Sequence, residues 1–281
     1  MLVTVYITTY NRRKLLERAI SSVLNQTHSP IELIVADDGS TDGSQEYLKE
    51  LHDQGILTAI LNTTGKSKGA CYGRNKAISM AKGEFISGLD DDDYFEPWRI
   101  ETFIKKWQEY TVNKKVFSAL FDSVVEHRKS GPVACYDTKV ATYQKLRKGN
   151  VVGNQVFTKT SYLKAVGGFD EQMPALQDWD TWLRLSNQYG DILNINTRSY
   201  IQIQNHAGER ITGKPAEKIR FAFNRLMNKL QPLTRSEESH LLATMYSGYP
   251  QIDIRISELF KIFMGGHFRK VAQVVKRTLL K

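Results

Sequence analysis

The chain has two cysteines among 281 residues, Cys71 and Cys135. They stand far apart and lack the paired spacing of a zinc site, so no disulfide framework or cysteine-built metal centre organises the fold, and both read as reduced thiols of a cytosolic protein. No window approaches the roughly 18 apolar residues of a spanning helix. Residues 1–7 have a short, β-branched apolar stretch with no basic segment ahead of it, the mark of a strand and not of a secretion signal. Internal repeats and low-complexity tracts are missing. The expectation is a soluble, cytoplasmic protein.

A glycine fingerprint is missing too. The first strand-to-helix turn carries Thr8-Thr9-Tyr10-Asn11-Arg12-Arg13 in its place, which argues against a dehydrogenase. What is present is a 41% hydrophobic composition, enough for a sizeable core, and a formal charge of +9 that suits an anionic partner. Nucleic acid, a phosphorylated substrate and an anionic membrane face all fit that charge. Nucleic acid is the poorest fit, since no recognised motif or aromatic-basic platform occurs.

The apolar pattern from residue 2 to 89 alternates strand and helix, with strands at 2–8, 31–36, 56–61 and 84–89. Leu15, Leu16, Ala19, Ile20, Val23 and Leu24 recur at helical spacing after the first strand, and Tyr47, Leu48 and Leu51 after the second. Ser40 or Thr41 is placed to cap that second helix. A third helix over 69–81 leaves Arg74 and Lys76 towards its exposed or loop-facing side, and Pro97 opens a fourth reaching about residue 110. The middle is mixed: strands at 116–121, 133–136 and 151–158, a helix after Asp178, and an interrupted strand over 192–203. Beyond Gly213 helix formers take over.

In such sheets ligands gather beyond the carboxyl ends of the strands. Three polar clusters fall there: Thr8 to Asn11, Asp37 to Ser40, and the four aspartates Asp90 to Asp93. Four like charges at the end of a buried strand repel one another unless cations or hydrogen-bond donors assemble around them. Asp90 and Asp92 can hold a hard divalent cation while leaving positions for phosphate oxygens; the plain alternative is a solvated acidic turn. Asp37 or Asp38 can accept from a base or a ribose, although a tight turn explains Gly39 and Ser40 equally. Arg74, with Lys66 and Lys68 before it, can neutralise a diphosphate; a solvated basic loop is the plain alternative.

The order and spacing of Thr8-Thr9-Tyr10-Asn11, Asp37-Asp38-Gly39-Ser40, Arg74-Asn75, Asp90-Asp91-Asp92-Asp93 and Gln177-Asp178-Trp179-Asp180 resemble the family 2 glycosyltransferases, over about residues 2–206. The resemblance implies a GT-A type nucleotide-binding α/β/α sandwich with a mostly parallel mixed sheet. It implies an inverting enzyme taking a nucleotide-sugar donor, by default a UDP-sugar, with Mn²⁺ or Mg²⁺ as cofactor. Thr8, Thr9, Tyr10 and Asn11 would then lie against the nucleotide, Asp37 or Asp38 would meet uracil or ribose, and Arg74 the base or diphosphate. Asp91 would serve the ribose or sugar. Asp92 would contact the metal directly, with Asp90 and His206 as further metal candidates, and Arg210 a comparable phosphate candidate. Asp178 would be the general base.

Gln177 stands where the family has glutamate, a change that leaves the base intact. A carboxylate near a helix N-terminus is expected to be held ionised by the dipole, and a helix cap is the alternative reading of Asp178. The expected organisation is a catalytic domain over 1–213, with a nucleotide-sugar-binding half (1–95) and an acceptor-binding half (96–213), then a C-terminal helical extension over 214–281. The last helix, about 267–281, is basic and amphipathic, a pattern that suits an anionic bilayer at the inner face of the cell membrane and equally an ordinary packed helix with a solvated basic face. The acceptor class would be a saccharide or lipid-linked saccharide, as in bacterial surface polysaccharide synthesis. The competing class is a nucleotide-binding or nucleic-acid-binding α/β protein without transferase activity.

Overall fold

A computed structural model describes residues 1–128, 131–203 and 215–279. The first half alternates as the sequence predicts: β1 (Val3–Thr9), α1 (Arg13–Leu24), β2 (Ile31–Asp37), α2 (Ser44–Asp53), β3 (Thr58–Leu61), α3 (Ala70–Met80) and β4 (Phe85–Asp90). Then come β5 (Tyr94–Phe95), α4 (Arg99–Val112), β6 (Phe117–Phe121), β7 (Val124–Arg128), β8 (Gly131–Cys135), β9 (Val140–Ala141), α5 (Tyr143–Leu146), β10 (Phe157–Lys159) and α6 (Thr160–Ala165). The chain continues through α7 (Gln177–Tyr189), β11 (Asp191–Asn194), β12 (Tyr200–Ile203), α8 (Ala216–Lys229), α9 (Arg235–Gly248), α10 (Ile256–Met264) and α11 (Phe268–Leu279).

Among the described residues the main sheet has eight strands in the order β3-β2-β1-β4-β10-β6-β11-β9. The first four run parallel, and β10 is antiparallel to both its neighbours. Alternation along the strands divides the core. Val3, Val5 and Ile7 of β1 and Phe85 and Leu89 of β4 join Leu16, Ile20 and Val23 of α1 and Phe103 of α4 on one face. Tyr6 and Ile86 point to the other face, among Ile78 of α3, Leu163 of α6 and Trp182 of α7. This is the α/β/α sandwich expected.

Strand register aligns the polar clusters. Thr8 of β1 pairs with Asp90 of β4, and Thr9 with Asp37 of β2, so all three end level at one rim. Gly88 of β4 leaves the space that the Gln155 and Tyr6 side chains fill, and a β-carbon there would collide with both. A second sheet, β5-β12-β7-β8, stands beside the rim.

The structure departs from the sequence reading in several places. Residues 151–156 are not strand, because Asn150 Oδ1 accepts from the backbone N–H of Val152 and Gly153, both at 3.1 Å, closing a turn that Gly153 completes at φ +93°. The interruption expected within 192–203 does occur, between β11 and β12, where Asp122 accepts from the N–H of Thr197 (2.6 Å) and Arg198 (2.7 Å). Neither Ser40 nor Thr41 caps α2: Gly43 precedes that helix at φ +86°, while Ser40 Oγ accepts from the N–H of Asn11 at 2.8 Å. The strand β7 went unread in the sequence.

The C-terminal helices share a core with the sheet domain, Ile219, Phe223, Leu226 and Leu241 lying in one cluster with Trp179 and Trp182. Lys229 of α8 bridges Asp170 (2.6 Å) and the buried Asp180 of α7 (2.7 Å). Arg147 and Glu237 tie α5 to the start of α9, whose capping box pairs Thr234 with Glu237. No described helix is long and apolar enough to cross a membrane.

Candidate active site

The rim opens into a cleft of about 850 Å³ whose walls include Thr8, Thr9, Tyr10, Asn11, Asp37, Asp38, Arg74, Asp90, Asp91 and Asp92. Residues distant in sequence are thus brought together by the parallel register of β1, β2 and β4. Tyr10 is 52% exposed beside it, an aromatic face open to a planar ligand. Asp178 does not line this cleft but stands against it through Arg74. His206 and Arg210 lie outside the described residues.

The two acids at the end of β2 differ in what they already hold. Asp37 Oδ1 accepts from the N–H of Gly39 and Ser40, both at 2.9 Å, and from Gln45 Nε2 at 2.7 Å. Its Oδ2 is buried with no hydrogen-bond partner among the described residues. Burying such an oxygen unpaired costs about 1–3 kcal/mol, which sets it apart from the fully engaged oxygens around it. Asp38 has both oxygens engaged: Lys68 N–H (2.7 Å) and Asn62 Nδ2 (3.2 Å) on Oδ1, Ser67 Oγ (2.6 Å) and Gly69 N–H (2.8 Å) on Oδ2. It fastens the loop leading into α3.

The acidic tip is held by donors. Asp90 accepts from Arg74 Nη2 (3.2 Å) and Gln155 Nε2 (3.0 Å) on Oδ1, and from Asn154 Nδ2 (2.8 Å) on Oδ2. Tyr200 Oη accepts from the Asp90 N–H at 3.2 Å and from Asn154 at 3.1 Å. Arg12 Nη1 donates to Asp91 Oδ1 at 2.9 Å and to Asp92 Oδ2 at 3.0 Å, and Arg18 donates to the Asp92 carbonyl. Burial pushes the Asp91 carboxyl up to about 6 against the pull of Arg12. Asp93 is buried and raised well above the usual carboxylate range by burial and by Asp90 and Asp92.

Arg74 is not on an exposed side of α3. It is 4% exposed, over the Phe169 ring at 5.0 Å, with Nη1 donating to Asp178 Oδ1 at 3.3 Å and Nη2 to Asp90. Burial works against its charge, and the two carboxylates, Asp178 before Asp90, more than offset it. Asn75 clamps the 167–171 turn, accepting from the Phe169 N–H and donating to the Phe169 carbonyl, both at 2.8 Å. Gly168, at φ +62°, gives Asn75 the room to do so.

Asp178 sits in the first turn of α7, and the residue before Gln177, Leu176, holds the cap position at φ +60°. Asp178 is therefore inside the helix and not its cap. Its carboxyl is pushed up to about 7, by burial first and then by Asp90, with Arg74 opposing. The expected stabilisation of the anion by the helix terminus is outweighed by desolvation. Tyr136 and Tyr249 lie near enough for Asp178 to help raise their phenols, behind burial as the main cause.

Arg12, Asn154, Gln155 and Tyr200 escaped the sequence reading. Arg12 directly follows the Thr8 to Asn11 cluster, so a basic pair after the first strand was the available signal. Asn154-Gln155 interrupts an apolar run, a break of pattern that marks a polar side chain with a partner.

A family model described as "Glycosyl transferase family 2" matches residues 4–159. Over 248 residues the chain is 33% identical to the putative colanic acid biosynthesis glycosyl transferase WcaA of Escherichia coli (strain K12), covering 87% of each protein. It is 27% identical over 205 residues to the chondroitin synthase of Pasteurella multocida (strain Pm70), of whose length that match spans 20%. Among solved structures, S. aureus TarS 1–349 in complex with UDP-GlcNAc is similar with a TM-score of 0.68 at 18% identity, over 93% of this chain and 78% of that one. The mannosyltransferase PcManGT from Pyrobaculum calidifontis, in complex with GDP-Man and Mn²⁺, is similar with a TM-score of 0.60 at 18% identity, over 99% of this chain and 79% of that one.

Proposed function

The chain belongs to glycosyl transferase family 2 and has the GT-A fold, and on that premise we propose that it transfers a sugar from a UDP-sugar to an acceptor hydroxyl, with inversion, in bacterial surface polysaccharide or lipid-linked oligosaccharide synthesis. Glycosyl transfer follows from the family; donor, stereochemistry and acceptor are the proposal. The observation that carries it is the Arg74 bridge: one guanidinium joins Asp90, on the wall of the nucleotide-sized cleft, to Asp178 beside it. The name of WcaA supports the polysaccharide assignment, and the UDP-GlcNAc complex of TarS supports the donor class.

Tyr10 stacks on the uracil, and Asp37 Oδ2 accepts from its N–H. Thr8, Thr9 and Asn11 line the nucleoside side, Asp38 contributes by fixing the loop before α3, and Asp91 serves the ribose or sugar. Arg74 turns its charge to the diphosphate. Asp178, in its ionised form, takes the proton of the acceptor hydroxyl as that oxygen bonds to the anomeric carbon. The bond from that carbon to the diphosphate oxygen breaks with its electron pair on the nucleoside diphosphate, and in-line attack inverts the centre.

A divalent cation fits the chemistry of the donor set. No group of three or more His, Cys, Asp or Glu forms a cage among the described residues. Mg²⁺ and Mn²⁺ bound with a nucleotide need only one or two carboxylates plus phosphate oxygens. Asp92 would hold it, with Asp90 nearby and His206 assigned to it by resemblance alone; the ion supplies Lewis-acid stabilisation of the leaving diphosphate. The test is donor consumption across a nucleotide-sugar panel with and without Mn²⁺. UDP-sugar turnover dependent on the ion is the expected result, and binding of no nucleotide sugar would overturn the reading.

The division into a donor half (1–95), an acceptor half (96–213) and a helical extension (214–281) is part of this proposal. Tyr249, which packs on the same core as α7 and feels the charge of Asp178, supports assigning the extension to the acceptor half.

A further inference from the structure

Helix α10 is apolar on both sides. Ile262 is fully buried and Leu259 packs against the core, which fixes the inward face. The opposite stripe carries Ile256, Phe260, Phe263 and Met264, which are 85, 63, 49 and 65% exposed. Their spacing of four, three and one puts them on one face of a helix. Phe268, 57% exposed at the start of α11, extends the stripe through an edge-to-face contact with Phe263 at 4.8 Å. Contiguous exposed apolar surface of this kind marks a contact site.

The charge around the stripe selects the partner. Residues 255–281 contain seven lysines and arginines and a single acid, Glu258. Lys261 pairs with Glu238 and Arg255 with Glu258, but Arg269 and Lys270 are exposed next to Phe268, and the α11 backbone carries Lys276 and Arg277 onward. A second copy of the chain meeting at this face would bring two strongly basic surfaces together. An anionic bilayer satisfies both properties at once.

We propose that α10 and the beginning of α11 form a membrane-docking surface, with Ile256, Phe260, Phe263, Met264 and Phe268 entering the headgroup–acyl boundary and Arg269 and Lys270 meeting lipid phosphates. The insertion is made by α10, ahead of the 267–281 segment that the sequence pointed to. α10 packs on α9, whose C-terminal end leads to Tyr249, a phenol that feels the charge of Asp178, so docking through α10 is tied by one helix to the neighbourhood of Asp178. That this serves a lipid-linked acceptor rests on the proposed function; the docking itself does not.

The test uses the full chain with sedimenting vesicles of phosphatidylcholine alone or mixed with phosphatidylglycerol, at low and at ~0.5 M salt. Binding is expected to be about tenfold or more tighter to the anionic vesicles, to weaken in salt, and to fall at least about tenfold in the double variant Phe260→Glu/Phe263→Glu. Circular dichroism and UDP affinity of the variant should match the parent. Parental binding equal to that of the variant, or absent, overturns the proposal. A concentration-dependent dimer abolished by the same substitutions, without vesicle binding, assigns the stripe to a second copy and overturns it as well. Consumption of a nucleotide sugar without vesicles reads the proposed function separately.

Discussion

Arg74 donates to Asp178, Nη1 to Oδ1 at 3.3 Å, from a guanidinium that is almost fully buried. The other arm of the same fork holds Asp90 at 3.2 Å, so the strand that ends the donor cleft and the helix that carries the proposed base are joined by one side chain. Charge and shape of Arg74 can be separated experimentally. Arg74→Lys keeps the cation and loses the fork, and should lower kcat by about 10²-fold while the pH dependence stays in place. Arg74→Met also removes the charge that opposes Asp178 protonation, and should move the pH–rate limb upward. A limb that does not move would show that Asp178 does not feel Arg74 in the working enzyme.

Asp178 carries a pH signature. With the carboxyl pushed up to about 7, transfer should rise with pH through about 7 and level off above it, standing near a tenth of its plateau one unit below. Asp178→Asn should abolish transfer and leave donor affinity, measured by calorimetry, within about twofold. The folded carboxyl binds its proton more tightly than the unfolded one, whose ordinary value is 3.8, so its share of stability is full at low pH and is lost as pH rises towards about 7. The variant should therefore show a flatter dependence of Tm on pH across that window.

Asp37 and Asp38 should separate. Asp37→Asn presents an amide donor or a misplaced acceptor where the orphan Oδ2 stands, and should weaken UDP binding by about tenfold or more. Asp38→Asn should act through the 67–69 loop, which its carboxylate fastens, with increased proteolysis at that loop. Equal losses of affinity with an unchanged loop in both variants would reverse the assignment.

Asp92→Ala should remove the Mn²⁺-dependent part of donor affinity, measured by titrating UDP with and without the ion. Arg12→Gln withdraws the cation now held between Asp91 and Asp92 and should steepen the dependence on Mn²⁺. Affinity for UDP indifferent to the ion in the parent would place diphosphate neutralisation on arginine alone.

Lys229→Met leaves the buried Asp180 with Arg184 as the ion-pair partner it keeps among the described residues, and takes from Asp170 the cation it has beside Arg225. A loss of about 1–2 kcal/mol is expected, or roughly 2–8 °C in Tm, monitored by thermal unfolding. An unchanged Tm would mean that the apolar packing of α8 alone holds the extension in place.

Local pattern was enough to read β1 to β4 and their helices, because alternation of apolar residues at periods of two and 3.6 is a property of neighbours in sequence. It failed at 151–156, where three valines suggested a strand and the Asn150 side chain made a turn. It fell short again at Arg74: the helical pattern assigned it to the exposed or loop-facing side, and the two carboxylates that pair with it in its buried position come from 16 and 104 residues away. Arg12, Asn154, Gln155 and Tyr200 have the same cause, since a polar side chain acquires its role from a partner that the sequence does not place.

What the sequence by itself determined is the alternating architecture, the family resemblance, and the polar clusters at the ends of the parallel strands, all consequences of short-range order and chain direction. Tertiary structure decided how those residues differ. Register set Thr8 level with Asp90 and Thr9 level with Asp37, and packing left one buried oxygen of Asp37 unpaired among the described residues while filling both of Asp38. Burial beside Asp90 raised Asp178 to a pKa near its proposed task. Charge, solvation and hydrogen-bond supply depend on distances across the fold, and only the folded chain sets them.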